Sequence, residues 1–218
     1  LIFNFSGGAS GTYSESEVSL RLFDVDGDGL ADRVFNIGGA DKLYVQRNKL
    51  GKVGLLKTIH LPTGGSYEIE YQRVGNTREL PQSKYVLSGV TMNSGLETKS
   101  GNIQSYKTQY TYKDGYYDRK AKEFYGFKTV KAVTGTGKTT ETEYYIDAYY
   151  RKGMVKKETV SHNGAVYSIK EYETDEVPHA RVKREWNTIR EGYRSIQTES
   201  DYRYDRYGNV TSLEDKGD

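Results

Sequence analysis

The sequence of 218 residues contains no cysteine, only three prolines and no long apolar run. Without cysteine the chain has no disulfides, no thiolate metal ligands and no cysteine nucleophile. No stretch approaches the roughly 18 consecutive apolar residues of a transmembrane helix, so we expect no membrane span. These deficits exclude a disulfide-stapled small domain and a cysteine-based enzyme.

Tyrosine is the abundant side chain: the sequence has 21 Tyr and 24 Gly but only 6 Phe and one Trp. Mean hydropathy is −0.81, and the hydrophobic share of 35% includes the tyrosines. Disordered chains are poor in aromatic residues, whereas tyrosine suits half-buried, pleated surfaces. The composition therefore predicts a soluble, β-rich, folded chain.

Charge gives little indication of a partner. The 32 Lys and Arg nearly balance the 30 Asp and Glu, for a net charge of +2, and the two signs are interspersed. A nucleic-acid surface requires a basic stripe, and the densest basic group comprises Lys152, Lys156 and Lys157. We interpret that group as a solvated strand face and predict no nucleic-acid partner.

Hydrophobic and aromatic residues alternate with a period of two, as in strands with two different faces. Tyr106, Thr108, Tyr110 and Tyr112 fall on one face of such a strand. Turn sequences separate the alternating runs, and Asn163-Gly164 is the strongest hairpin signal because both central residues of a type I′ turn need positive φ. We predict an all-β, antiparallel fold of hairpins, with further turns at 135–137, Asp114-Gly115 and Gly101-Asn102.

Tyrosine-rich strand endings recur along the chain. They end at residues 71, 112, 145, 172 and 204, at intervals of 27 to 41 residues. These intervals are typical of stacked hairpin units, which bury their surfaces against neighbouring units. The polar stretch 73–84 interrupts the series and is predicted to be a loop.

The segment DVDGDGLAD (24–32) predicts a metal site. Ca²⁺ takes six to eight oxygen ligands, and its loops carry carboxylates at positions 1, 3 and 5, Gly at 6 and a main-chain carbonyl at 7. The candidate ligands are the carboxylates of Asp24, Asp26, Asp28 and Asp32 and the main chain of Leu30. The segment is not an EF-hand, because position 12 is Phe35 rather than Glu. We expect a structural Ca²⁺; the alternative is an Asp/Gly-rich turn without an ion.

The segment AVTGTGKT (132–139) resembles a phosphate-binding loop if Ala132 replaces the first glycine. That loop requires a following helix, whereas Thr-rich alternation follows Lys138, so we predict a hairpin loop here. The three histidines, at positions 60, 162 and 179, are isolated from catalytic partners in sequence. A hydrolase with a carboxylate pair is retained as an alternative, because counting Asp and Glu does not exclude it.

Three further segments are distinctive: LKTIHLPTGGSYEIEY (56–71), DGYYDR (114–119) followed by KEFYGF (122–127), and YRYDRYGNV (202–210). Together they resemble the Rhs/YD-repeat family, which includes the B components of insecticidal Tc toxins and virulence-plasmid B proteins. The first resembles a strand entry of that family, and the second resembles another of its stretches, with Lys122 where arginine is common. The third matches a YD repeat. The Asp-rich loop resembles calcium loops of the VCBS/FG-GAP β-propellers that precede the Rhs region.

The resemblance implies that residues 1–50 end a propeller-like module with its calcium loop and that residues 51–218 belong to the Rhs/YD-type sheet. In the family this sheet forms a shell around a toxic polypeptide. The resemblance thus implies a secreted bacterial, non-catalytic scaffold that contributes to virulence. Its implied partners are the rest of the parent chain, neighbouring toxin subunits and the enclosed polypeptide. A stand-alone adhesin or glycan-binding domain is the other alternative.

Overall fold

A computed structural model describes residues 20–37, 41–97, 101, 103–175 and 180–217. The chain divides into two compact units, Leu1–Gly51 and Lys52–Asp218. The described residues contain no helix and form fourteen antiparallel strands, which confirms the predicted all-β, antiparallel fold. The identity of the first unit as the end of a propeller stays a prediction.

The strands are short in the first unit and reach 16 residues in the second. Their bounds in chain order are β1 Leu20–Phe23, β2 Asp32–Asn36, β3 Leu43–Gln46, β4 Thr58–His60, β5 Ser66–Val74, β6 Lys84–Glu97, β7 Ile103–Asp118, β8 Glu123–Thr134, β9 Lys138–Tyr144, β10 Val155–His162, β11 Ala165–Thr174, β12 Val182–Glu191, β13 Arg194–Tyr204 and β14 Val210–Asp215.

The first unit carries a three-stranded sheet in the order β1-β2-β3. Apolar residues in and beside its strands are exposed, among them Leu22, Phe23 and Leu43. Phe35 on the central strand stacks on Tyr44 of β3, with ring centroids 5.8 Å apart. The Asp-rich segment connects β1 to β2, so the pairing of these two strands brings its ends together.

The second unit is one meandering sheet of eleven strands, in which each strand from β4 to β14 pairs with the next along the chain. Every connection is therefore a hairpin. Alternate connections lie at the same rim of the sheet, so the longer described connections 75–83 and 145–154 share one rim. The connections 135–137 and 163–164 lie at the opposite rim and are tight turns.

One face of this sheet is rich in tyrosine. Residues that pair directly across an antiparallel ladder lie on the same face. Tyr110 pairs with Ala132, Tyr112 with Val130, and Thr108 with Val90. The predicted common face of Tyr106, Thr108, Tyr110 and Tyr112 is thereby confirmed, and it is called the tyrosine face below. Further along the sheet, Tyr144, Tyr172 and Tyr202 lie on the same face.

The opposite face, called the polar face, carries Thr, Lys, Glu and Gln. A cross-strand row on β9 to β13 consists of Glu143, Lys157, Glu171, Trp186 and Glu199. The neighbouring row is composed of Glu141, Thr159, Ile169, Thr188 and Gln197. In the first row Lys157 lies between two glutamates, with its Nζ 3.0 Å from Glu171 Oε1.

Two predicted turns are confirmed and one is wrong. Asn163 and Gly164 have φ of 48° and 86° and connect β10 to β11, and residues 135–137 connect β8 to β9. Asp114 and Gly115 lie inside β7 instead, because the left-handed φ of 53° at Asp114 is accommodated within a long strand. Gly101 has φ of 79°, while Asn102 lies outside the described residues.

Few apolar side chains are buried. Among the described residues only Leu80 and Tyr125 belong to the apolar core, 3% and 6% exposed. Both lie near the rim where loop 75–83 folds back on the β7–β8 hairpin: Tyr117 N donates to Glu79 O at 2.8 Å. The rest of the sheet is a single layer with both faces open.

Candidate functional site

The Asp-rich connection between β1 and β2 is closed by its own carboxylates. Asp24 Oδ1 accepts a hydrogen bond from Asp28 N at 3.0 Å, and Asp24 Oδ2 accepts one from Gly29 N at 2.9 Å. Gly27 and Gly29 have φ of 70° and 82°, which side chains rarely adopt. The Asp24 carboxylate therefore fixes the backbone of Asp28 and Gly29.

Three of the predicted ligands converge. Asp24, Asp26 and Asp28 each place a carboxylate oxygen within 4.8 Å of the others. In the described part of the chain this is the only group of three or more Asp, Glu, His or Cys with that property. Leu30 lies in the same loop and donates its N–H to Asp28 Oδ1 at 2.8 Å.

Asp32 has a different position from the other three carboxylates. It is 1% exposed, and its two oxygens accept hydrogen bonds from Val25 N at 3.0 Å and Asn48 N at 2.8 Å. These backbone donors hold the pKa of the Asp32 carboxyl below its usual range. Asp32 therefore ties both ends of the loop to the segment after β3, and it is outside the convergent group.

The donor chemistry of this loop fits a hard divalent cation. Three carboxylates within such a short distance repel one another unless a cation lies between them. Asp26 Oδ1 is buried and has no hydrogen-bond partner within the described residues, while Asp26 Oδ2 lies 3.8 Å from Arg47 Nε. A buried carboxylate oxygen without a hydrogen-bond donor is costly, and coordination to a bound metal ion would satisfy it.

The second local cluster lies at the rim of the large sheet, in the stretches DGYYDR (114–119) and KEFYGF (122–127). Leu80 from loop 75–83 covers Gly115, where a Cβ atom would lie 2.9 Å from Leu80 Cδ2. The Phe127 ring lies 4.9 Å from that of Tyr112 and 5.3 Å from that of Phe124. The motif therefore encodes a packed corner of the sheet.

Asp118 closes the turn of this corner. Its Oδ1 accepts hydrogen bonds from Lys120 N at 2.7 Å and Ala121 N at 2.8 Å, which lowers the pKa of the carboxyl. Lys152, from the connection 145–154, pairs with Glu123 and lies 5.0 Å from the Tyr125 ring centroid. Two loops that are distant in sequence thus meet at this motif.

The YD-repeat segment YRYDRYGNV (202–210) forms the end of β13 and the turn into β14. Asp205 accepts hydrogen bonds from Asn209 Nδ2 at 3.0 Å, Asn209 N at 2.9 Å and Tyr207 N at 2.8 Å, which lower the pKa of its carboxyl. Tyr204 Oη donates to Val182 O at 2.6 Å, and the Arg181 guanidinium lies 4.6 Å from the Tyr204 ring centroid. The Tyr and Asp of this repeat therefore have distinct roles: Tyr fastens neighbouring strands and Asp closes the turn.

The two described histidines lie on strands that are not neighbours in the sheet. His60 lies at the end of β4 and His162 at the end of β10, and His179 is outside the described residues. Sequence reasoning missed Trp186, whose surroundings depend on the partners of β12 across the sheet. The one signal in the sequence was that Trp186 is its only tryptophan.

No described helix has the length and apolar character needed to cross a membrane. A model of the insecticide toxin TcdB middle/N-terminal region matches residues 6–158, more than half of the chain. No curated protein matches the chain significantly.

Solved structures of Tc toxin complexes have the same fold. The crystal structure of TcdB2-TccC3-TEV is 14% identical, covers 89% of this chain and gives a TM-score of 0.65. TcdB2-TccC3 without its hypervariable C-terminal region is 15% identical, covers 92% and gives 0.65. The Photorhabdus luminescens Tc holotoxin pore with a TccC3 mutation is 14% identical, covers 89% and gives 0.63.

The chain spans only 13–14% of the length of these solved chains. Because the sequence identities are low, the solved structures establish only the fold, whereas the family model establishes the family. The predicted resemblance to the B component of Tc toxins is thereby confirmed. The chain belongs to the family of the insecticide toxin TcdB middle/N-terminal region.

Proposed function

We propose that this chain is a non-catalytic structural segment of a bacterial Tc-type toxin subunit, and that its large sheet forms part of an Rhs-type shell around a toxic polypeptide. The observation that carries the proposal is the single-layer sheet of eleven strands with two buried apolar side chains among its described residues. A free-standing domain normally packs its sheet against another layer. A wall that separates two compartments has no such need.

The chemistry of the sheet supports this role. The tyrosine face combines apolar rings with phenolic hydroxyls, so it can contact an unfolded polypeptide while staying hydrated. The partners are then the rest of the parent chain, neighbouring toxin subunits and the enclosed polypeptide. The site of action is outside the producing bacterium, consistent with a role in virulence.

A chimeric complex tests the shell. The structurally matching segment of TcdB2 in TcdB2-TccC3 is replaced by this chain, and the purified complex is treated with protease. We expect the enclosed polypeptide to be protected as in the parent complex, whereas a control complex with that segment deleted should be digested. Digestion of the chimera at the rate of the deletion control, despite a closed outline in electron micrographs, would contradict the proposal.

We further propose that the loop 24–32 binds Ca²⁺ as a structural ion. Asp24, Asp26 and Asp28 would hold it, with the Leu30 main chain and Asp32 as the other predicted ligands. The buried oxygen of Asp26 and the spacing of the three carboxylates support this assignment. Ion binding would add to the folding free energy of the first unit.

Calorimetric titration with Ca²⁺ tests the ion. We expect saturable binding to the unmodified chain and its loss in Asp26→Ala and Asp28→Ala, with Asp41→Ala as a control outside the loop. The unmodified chain should also unfold at a higher temperature in millimolar Ca²⁺ than in chelator. Equal unfolding temperatures in the two conditions would count against a structural ion.

A further inference from the structure

A shallow cavity of about 430 Å³ lies on the polar face of the large sheet, around Trp186. Its lining includes Trp186, Tyr145, Lys157, Glu171, Gln197 and Glu143, which come from β9 to β13 and the start of the connection after β9. This volume is within the range of small-molecule sites. The cavity is far along the chain from the calcium loop and from the β7–β8 corner.

Trp186 departs from the division between the two faces. The tyrosines Tyr144, Tyr172 and Tyr202 lie on the tyrosine face. Trp186, the only tryptophan of the chain, lies on the polar face instead, where Tyr145 lines the same cavity. An indole among Glu, Lys, Thr and Gln side chains does not contribute to an apolar core.

The indole is held in one orientation. Trp186 Nε1 donates to Glu199 Oε2 at 2.7 Å, and Glu199 Oε1 accepts a hydrogen bond from Lys216 Nζ at 2.8 Å. The Arg184 guanidinium lies 5.5 Å from the indole centroid and is itself paired with Asp201. Because each partner is fixed by another charged group, little side-chain entropy is lost when a ligand contacts the ring.

Polar groups of both kinds surround the ring. Glu171 pairs directly across the ladder from Trp186, and only its Oε1 is bonded to Lys157. The carboxylate of Glu143 and the amide of Gln197 make no hydrogen bond or ion pair with another described residue. The cavity therefore offers an apolar ring, unused acceptors and a two-sided amide, without a strong net charge.

These features match the chemistry of a sugar ring. A pyranose has an apolar C–H face that stacks on indole and a belt of hydroxyls that donate to carboxylates and accept from amides. A charged ligand would find both signs in the lining, and a purely apolar ligand would leave the carboxylates desolvated. We propose that the Trp186 cavity binds a saccharide, and, resting on the proposed shell with its tyrosine face toward the enclosed polypeptide, that this saccharide approaches from outside.

Intrinsic fluorescence tests the proposal directly, because Trp186 is the only tryptophan. The full chain is titrated with chitotriose, cellotriose, maltotriose and lactose. We expect at least one of them to shift or quench the emission saturably, with a dissociation constant of about 1 mM or tighter. Glu171→Gln and Gln197→Ala retain the indole and should each weaken that binding about tenfold.

The matched control is Tyr193→Ala. It removes an exposed ring from the turn between β12 and β13, the strands that carry Trp186 and Gln197, and should leave the affinity unchanged. Trp186→Ala, assayed by saturation-transfer NMR after circular dichroism confirms the fold, should abolish binding. Absence of a saturable change with all four saccharides at 20 mM overturns the proposal. Quenching by a control peptide such as Ala-Lys-Ala, without a saccharide response, also overturns it and assigns the cavity to polypeptide instead.

Discussion

Gly115 illustrates how one residue serves a contact rather than a turn. A Cβ atom there would lie 2.9 Å from Leu80 Cδ2 and 2.9 Å from Phe127 Cε1, closer than ordinary van der Waals contact. The Asp-Gly dipeptide is a turn signal in sequence, yet here it allows loop 75–83 to cover the strand. The sequence does not specify which loop returns to the glycine, so this role could not be predicted.

Replacing Gly115 with alanine should destabilise the second unit by about 1–3 kcal/mol, because the added methyl overpacks the corner. Urea unfolding followed by Trp186 fluorescence measures the change. Gly135→Ala is the matched control, since its Cβ would meet only Lys107 O at 3.6 Å, an ordinary contact. Equal midpoints for the two variants would show that the corner relaxes without cost.

Asp32 is the residue on which the closure of the Asp-rich loop depends. Asp32→Asn leaves one acceptor oxygen for two backbone donors, so one of the Val25 and Asn48 amides loses its partner. Hydrogen exchange at pH 7 should then accelerate at one of these two amides. Asp41→Asn, in the same unit, should leave both rates unchanged, and slow exchange in Asp32→Asn would contradict the assigned bonds.

The element that carries most charge is the ladder of β12, β13 and β14. Asp201 contacts Arg184 and Lys216 Nζ, and these two cations lower the pKa of its carboxyl well below the usual range. Asp201 in turn raises the pKa of Arg184 and the pKa of Lys216. Strand β14 has no buried side chain, so its attachment depends on main-chain bonds and this ionic network.

Acidification should weaken this attachment. A carboxyl with a lowered pKa in the folded state contributes stability above its unfolded value of about 3.9, and that contribution is lost as the pH falls. Asp201→Asn should therefore unfold at a lower temperature than the unmodified chain at pH 7, with a smaller difference at pH 2. Glu214→Gln, directly across the ladder on β14, should show no such convergence.

Strands and hairpins were the most predictable elements. Period-two tyrosines and the Asn163-Gly164 turn determine faces and connections locally, so both followed from sequence. The convergence of Asp24, Asp26 and Asp28 was also predictable, because the three residues lie close together in one loop. The surroundings of Trp186 did not follow, because Glu199 and Glu171 reach it only through the pairing of three strands, and register shifts such as that at Val160/Ser161 are invisible in sequence.

At the scale of the whole molecule, the large sheet has two edges without a described neighbour. One edge is β4, with three residues, and the other is β14, whose six residues are all exposed. Unpaired N–H and C=O groups at a sheet edge form a template for another strand. In a shell, adjoining strands of the parent protein would satisfy these edges, whereas a separate chain presents them to solvent.

The isolated chain should therefore associate through β14 in a concentration-dependent manner. Lysine at an edge opposes pairing because like charges meet across the new ladder, so the double variant Val210→Lys, Leu213→Lys should lower the mass measured by light scattering toward that of one chain. The double variant Tyr193→Lys, Tyr207→Lys adds the same charge in two turns and should associate like the unmodified chain. If both variants dissociate equally, net charge rather than the β14 edge controls association. That result would contradict the expectation that β14 pairs with an adjoining strand of the parent protein.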